Sequence, residues 1–124
     1  EVEAALRLSQ SEAGTSFGKD AVYIEKYIDA HFKEDITLDT LSELTFLNKY
    51  HIVHAFKQYK GISPINYMIQ KRIQEAKVLL STTNLQISEI SIIIGFTSQS
   101  YFAQAFKKAT GISPIQFRKN HSEQ

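Results

Sequence analysis

The chain has 124 residues, of which 43% are hydrophobic and 22% charged, and its net charge is +1. These values suit one compact domain or two small lobes that share a helix. The absence of cysteine excludes disulfides and thiolate chemistry and fits a reducing, cytoplasmic setting. The longest apolar stretch, residues 92–96, is far too short to cross a bilayer, and no signal peptide is recognisable. Because the first residue is Glu1 and not methionine, we expect a piece of a longer protein.

Basic and acidic residues are distributed unevenly along the chain. Residues 1–47 carry four basic and ten acidic side chains, whereas residues 48–77 carry six basic and one acidic. Residues 78–124 carry four basic and two acidic. The positive charge beyond residue 47 is what a polyanion-binding face requires, although a solvated helical surface of uneven charge accounts for it equally well.

The first helix is predicted to begin at Asp20, which can cap it. Residues 1–19 are small or polar with little periodicity, and we interpret them as a linker or disordered segment. The inner face of the helix is predicted from residues three or four positions apart: Ile24, Tyr27, Ile28 and His31.

Residues 37–60 are predicted to form a short helix, a tight turn and a longer helix. Thr37 can cap the first helix and Asn48 the second, which ends before a left-handed Gly61. This arrangement is the outline of a helix-turn-helix unit. The short helix carries three leucines at helical spacing: Leu38, Leu41 and Leu44.

A ten-residue segment at the end of this unit recurs 50 residues further on. Residues 56–65 read FKQYKGISPI and residues 106–115 read FKKATGISPI, with seven of the ten positions identical. In each copy glycine can end a helix, serine can cap the next helix, and proline suits its first position. The repeat predicts a second helix-turn-helix unit over residues 87–110, with one extra residue in its turn, and a final helix over residues 114–120.

A long linker helix is predicted between the two units, over residues 64–80. At about 1.5 Å per residue it is roughly 25 Å long. The expected fold is therefore all-α, with about seven helices and two helix-turn-helix subdomains within residues 20–120. The linker helix has one apolar stripe, formed by Ile65, Ile69, Ile73, Ala76 and Leu80.

The longer helix of each unit has an apolar face and a second face without acidic residues. The apolar faces are predicted to pack in the core: Ile52, Ala55, Phe56 and Tyr59, and then Phe102, Ala105, Phe106 and Ala109. The outward faces are Lys49, Tyr50, Val53, His54 and Lys57, and then Gln99, Ser100, Ala103, Gln104 and Lys107. Glutamine can pair with adenine, and small apolar groups suit the thymine methyl. A solvated helix is usually richer in Glu–Lys pairs, so these faces favour DNA contact.

The second unit carries a set of residues typical of one family. Together with the repeat, these residues make the chain similar to AraC/XylS-type transcriptional regulators over about residues 20–120. The matching segments are residues 87–94, Gly95-Phe96, residues 98–102, residues 106–108, residues 111–114, Phe117-Arg118, residues 72–76 and Leu79-Leu80.

The resemblance implies a bacterial regulator that binds double-stranded DNA sequence-specifically, with the third and sixth helices in adjacent major grooves. The implied base-reading residues are Tyr50, Val53, His54, Gln99, Ser100 and Gln104. The implied phosphate partners are Lys49, Lys57 and Lys107, and Ser98 is a further candidate DNA contact. The expected partners are double-stranded DNA, RNA polymerase and an upstream sensor or receiver domain, with no cofactor and no membrane.

The chain departs from the family pattern in three places. Ser42 and Ser91 stand where alanine is usual in the first helix of each unit. His54 and Gln104 occupy positions that are often arginine, which makes A·T or methyl-based reading more plausible than guanine recognition. The first turn, residues 45–47, lacks the glycine of the second.

An enzyme and a helical protein-interaction module are the alternatives to a DNA-binding domain. His51 and His54 are one helical turn apart, but no carboxylate or cysteine in the same helix completes a metal site. No nucleophile elbow, phosphate loop or pair of catalytic carboxylates is present, so we expect neither catalysis nor a bound metal. Amphipathic helices and a duplicated core would serve a protein-interaction module equally well. Salt-dependent retention on heparin distinguishes it from a DNA-binding domain.

Overall fold

The computed structural model describes residues 12–121, and side chains from residue 18 onward. Within these residues the chain is all-α, as predicted, with seven helices and no strand. The helices are α1 (Glu12–His31), α2 (Leu38–Thr45), α3 (Lys49–Lys60), α4 (Pro64–Thr82), α5 (Ile87–Ile93), α6 (Gln99–Thr110) and α7 (Pro114–His121). In this part of the chain, no helix combines the length and apolar character needed to span a membrane.

The first helix begins eight residues before the predicted cap at Asp20. Residues 12–19, which we assigned to a linker or disordered segment, are helical, so that assignment is wrong there; residues 1–11 lie outside the described residues. Extending a formed helix costs far less than nucleating one, which lets weak helix formers join it. Asp20 is therefore inside the helix, where partial burial raises the pKa of its carboxyl group.

The predicted inner face of α1 is only partly buried. Ile24 and Ile28 are fully buried, whereas Tyr27 is half-buried. His31 is also half-buried, and its Nδ1 atom lies 2.9 Å from a carboxylate oxygen of Glu34. His31 is thus bonded to a polar partner at the helix end.

The caps of α3 and α6 are those that the repeat predicts. The Asn48 side chain accepts a hydrogen bond from the amide of His51 at 2.9 Å, and the Ser98 hydroxyl accepts one from the amide of Tyr101 at 3.0 Å. Both helices are 12 residues long, and each ends at a left-handed glycine: Gly61 with φ 86° and Gly111 with φ 89°. The sequence repeat is therefore also a structural repeat.

The turns inside the two units place different residues in the left-handed backbone conformation. In the first turn Phe46 takes the left-handed conformation, with φ 62° and a side chain that is 93% exposed. That conformation costs a non-glycine residue about 1–2 kcal/mol. The second turn uses Gly95, with φ 99°, and a β-carbon there would lie 2.6 Å from the carbonyl oxygen of Lys33. In the second turn the backbone of Lys33 thus leaves no room for a side chain at position 95.

The chain divides into two compact units, and one point of division along the chain lies within α4, between residues 67 and 68. Among the described residues, unit 1 contains residues 12–30 and 36–67, whereas unit 2 contains residues 31–35 and 68–121. The fully buried side chains of unit 1 include Ile24, Ile28, Leu41, Ile52 and Phe56. The core of unit 2 is Ile73, Ala76, Leu80, Ile90, Ile94, Phe96, Phe102 and Phe106.

Tyr59 and Ala109, which were predicted in the core, are exposed, and so are the apolar residues Leu44 and Ile93. Tyr59 is 43% exposed, and its hydroxyl donates a hydrogen bond to Glu25 at 2.6 Å. Each of the four lies in the last turn of its helix. In unit 2 the next buried apolar residue after Ile90 is Ile94, which lies one residue beyond the exposed Ile93.

A buried arginine holds the segment after α1 within unit 2. The Arg72 Nε atom donates to the carbonyl oxygen of Phe32 at 2.6 Å, and its Nη2 atom donates to that of Glu34 at 2.7 Å. The guanidinium carbon lies 5.5 Å from the centre of the Phe96 ring. These contacts fix the backbone that faces Gly95.

Candidate nucleic-acid interface

The outward face of α3 is accessible, as the helical phase predicts. Ile52, Ala55 and Phe56 are buried on one side of the helix, which turns the opposite side to solvent. There Tyr50 is 67% exposed and Val53 is half-buried. The exposed polar members of this face are Lys49, His54 and Lys57.

Tyr50 and His54 are bonded to each other on this surface. The His54 Nε2 atom lies 2.6 Å from the Tyr50 hydroxyl oxygen. The two ring centres are 4.4 Å apart, and the ring planes meet at 65°. A shallow depression of about 260 Å³ runs beside the pair, lined by Tyr50, His51, His54, Ala55 and Gln58.

The lysines of the two candidate faces differ in their ion pairs. Lys49 Nζ lies 2.6 Å from the Asp39 carboxylate, so this lysine already has an anionic partner. Among the described side chains, neither Lys57 nor Lys107 forms an ion pair. Both are exposed in the last turns of their helices. Of the three lysines expected to contact phosphates, these two therefore have the more accessible ammonium groups.

The outward face of α6 is smaller and more polar than that of α3. Gln99, Ser100 and Gln104 are exposed, and Ala103 is half-buried. The buried Phe102 and Phe106 set this phase. Ser98 is exposed but serves as the helix cap, and its hydroxyl proton remains available to donate.

Acidic side chains in unit 1 are partly neutralised by local contacts. Glu25 accepts a hydrogen bond from Tyr59, and its carboxylate lies 3.0 Å from Lys60 Nζ. These two contacts hold the pKa of Glu25 below its ordinary value. Lys60 therefore has an internal partner and contributes less to a DNA-facing charge than its sequence position indicates.

Sequence reasoning missed Gln58 as a member of the α3 surface. Gln58 is exposed, follows His54 by one helical turn and lines the depression. Continuing the outward periodicity by one turn would have found it. His51, considered only as a metal ligand, lines the same depression. Within the described residues, no group of three His, Asp or Glu side chains is placed to hold a metal ion.

Comparison with known proteins places these features in a family context. A helix-turn-helix domain model matches residues 41–120. The bifunctional transcriptional activator/DNA repair enzyme AdaA of Bacillus subtilis is 40% identical over 96 residues, which cover 77% of this chain and 46% of AdaA. The arabinose operon regulatory protein of Escherichia coli is 35% identical over 99 residues, which cover 79% of this chain and 34% of that protein.

Solved structures agree with the sequence matches. The C-terminal domain of AraT, a response regulator from Geobacillus stearothermophilus, superposes with a TM-score of 0.81 and 35% sequence identity. The superposition covers 85% of this chain and 88% of that domain. The chain thus corresponds to nearly all of one solved domain, but to less than half the length of the two curated relatives.

Proposed function

The chain belongs to the AraC/XylS family of helix-turn-helix transcriptional regulators, and on that premise we propose that it binds one asymmetric site in double-stranded DNA. In this proposal α3 and α6 enter successive major grooves, and each reads a different short sequence. The activity is DNA recognition for bacterial transcription regulation, in the cytoplasm, without catalysis.

The observation that carries the proposal is the duplicated, accessible and acid-free outward face. α3 and α6 have equal length, equivalent caps and the same helical phase, yet they expose different side chains. A recognition helix contacts bases through its N-terminal residues and its outward face. Two such faces with different residues suit two different half-sites.

The proposed roles follow the geometry of each side chain. The base-reading residues are Tyr50, Val53, His54, Gln99, Ser100 and Gln104. Lys57 and Lys107 contact phosphates, because both are exposed and neither is in an ion pair within the described region. Lys49 reaches a phosphate only by leaving Asp39, and Ser98 can donate its hydroxyl proton while it caps α6.

Footprinting on a site obtained by in vitro selection tests this function. One chain should protect about two helical turns, with contacts centred roughly 34 Å apart and no internal symmetry. A single short half-site, or a palindrome bound only by two chains, would contradict the proposal. Retention on heparin with salt-dependent elution is the faster preliminary test.

Replacing Lys57 or Lys107 with alanine should weaken binding to all DNA sequences alike. Each phosphate contact releases about one condensed counterion, so each variant should flatten the slope of log affinity against log salt by about one unit. Lys26→Ala removes the same charge from an exposed position on α1 and is the matched control. Titrations on specific and random DNA at several salt concentrations measure the effect. A loss confined to the specific site would reassign these lysines to base reading.

The regulatory input is proposed to come from a separate sensor or receiver domain. Relatives more than twice as long as the matched segment support this, as does the likeness to the C-terminal domain of a response regulator. A receiver would transmit phosphorylation, whereas a sensor would transmit ligand binding. RNA polymerase is the proposed protein partner of the DNA-bound state.

A further inference from the structure

The hydrogen bond between Tyr50 and His54 orients two exposed side chains of α3 before any ligand is present. Both rings project from consecutive turns of the helix, and the 2.6 Å bond joins their polar atoms. The edge-on contact of the two rings, whose planes meet at 65°, adds a second constraint. A contact surface that is ordered in advance loses less entropy on binding.

The bond also determines which hydrogen-bonding groups remain for a ligand. If the tyrosine hydroxyl donates to Nε2, the neutral histidine keeps a donor at Nδ1 and the tyrosine oxygen keeps an accepting lone pair. If Nε2 donates instead, the tyrosine keeps its proton as a donor and Nδ1 becomes the acceptor. In either tautomer the pair offers one donor and one acceptor.

Base edges in the major groove differ in the partners that they need. Adenine presents the N7 acceptor beside the N6 donor, whereas guanine presents two acceptors, N7 and O6. One donor and one acceptor complement adenine, and guanine requires two donors. Val53, half-buried on the same face, supplies an apolar surface of the kind that suits a thymine methyl.

Resting on the proposed function, we infer that Tyr50 and His54 read one adenine as a single bonded unit, with Val53 against a thymine methyl. The corresponding residues of α6 provide the comparison. Ser100 and Gln104 occupy the same helical positions, and within the described residues no hydrogen bond joins their side chains. The two residues of α6 therefore act independently, whereas those of α3 act together.

A double-mutant cycle on base preference tests the inference. Affinities of the wild type, Tyr50→Phe, His54→Ala and the double variant are measured for the selected site and for every single base-pair change in it. The wild type should prefer adenine at one position by about tenfold or more, as a good bidentate contact does. Each single variant should lose most of that preference at the same position, and the double variant should lose no more.

The control is the equivalent cycle of Ser100→Ala and Gln104→Ala. There the fold-losses of base preference in the two single variants should multiply in the double variant. Thermal melts of the α3 variants should match the wild type, because Tyr50 and His54 are exposed. Multiplying losses for the α3 pair, losses at different base pairs, or a guanine preference would overturn the inference and leave the proposed function intact. A wild type without any sequence preference would overturn the proposed function itself.

Discussion

Truncation of Phe106 to alanine is expected to lower the free energy of unfolding by about 3–5 kcal/mol, as large core deletions do. The Phe106 side chain is fully buried. Its ring centre lies 5.8 Å from that of Phe102 and 5.4 Å from that of Phe117. Since domains of this size have about 5–15 kcal/mol of stability in total, the loss should appear as a clear fall in melting temperature.

Phe56→Ala is the matched control, because Phe56 holds the same place in the repeat and is also fully buried. Circular dichroism follows the loss of helix in both variants. Amide hydrogen exchange should show that the Phe106 variant loses protection first in unit 2 and the Phe56 variant first in unit 1. DNA binding is measured at low temperature, where both variants remain folded. If either variant kept wild-type stability but lost DNA binding, that phenylalanine would face the groove and the assigned helical phase would be wrong.

Gly95→Ala is expected to be the most damaging of the glycine substitutions, at about 2–5 kcal/mol. Left-handed backbone accounts for about 1–2 kcal/mol of this. Overpacking adds about 1–3 kcal/mol, since the new carbon would lie 2.6 Å from the Lys33 carbonyl oxygen and 3.1 Å from the Arg72 guanidinium carbon. The Lys33 backbone cannot easily retreat, because Arg72 holds the carbonyl groups of Phe32 and Glu34 on either side.

Gly111→Ala separates the two contributions. Gly111 has a similar φ, but nothing lies within 4 Å of its added carbon, so only the conformational cost of about 1–2 kcal/mol remains. Phe46→Gly is the converse change, because it relieves a left-handed residue and should raise stability by up to about 1 kcal/mol. Urea unfolding of the three variants measures these differences. Equal losses for Gly95→Ala and Gly111→Ala would show that contact with Lys33 carries no cost.

The local rules of helix capping predicted much of this fold. Asn48, Gly61 and Gly111 perform the predicted roles because caps depend on residues within one helical turn. The start of α1 was mispredicted for the opposite reason. Helix extension over residues 12–19 depends on the stability of the whole helix and not on a single capping residue.

Contacts between residues far apart in the chain, and the choice of side-chain rotamers, could not be predicted from the sequence. The closure of Gly95 by Lys33 joins positions 62 residues apart, which no local pattern indicates. The outward face of α3 was predicted from its helical phase, apart from Gln58. Its internal bonds were not predicted, because the pairing of Tyr50 with His54 and of Lys49 with Asp39 depends on which rotamers are adopted.

Because α3 and α6 have equivalent lengths and caps, the residues on their outward faces can be exchanged between the two helices. Both helices have 12 residues, a side-chain cap at the start and a left-handed glycine at the end, so a surface residue keeps its orientation when moved by 50 positions. Lys57 already matches Lys107. A protein carrying K49Q, Y50S, V53A, H54Q and Q58K would therefore present the outward residues of α6 twice, and its binding site should contain the same half-sequence twice. The duplicated fold thus allows the base preference of each recognition helix to be changed separately.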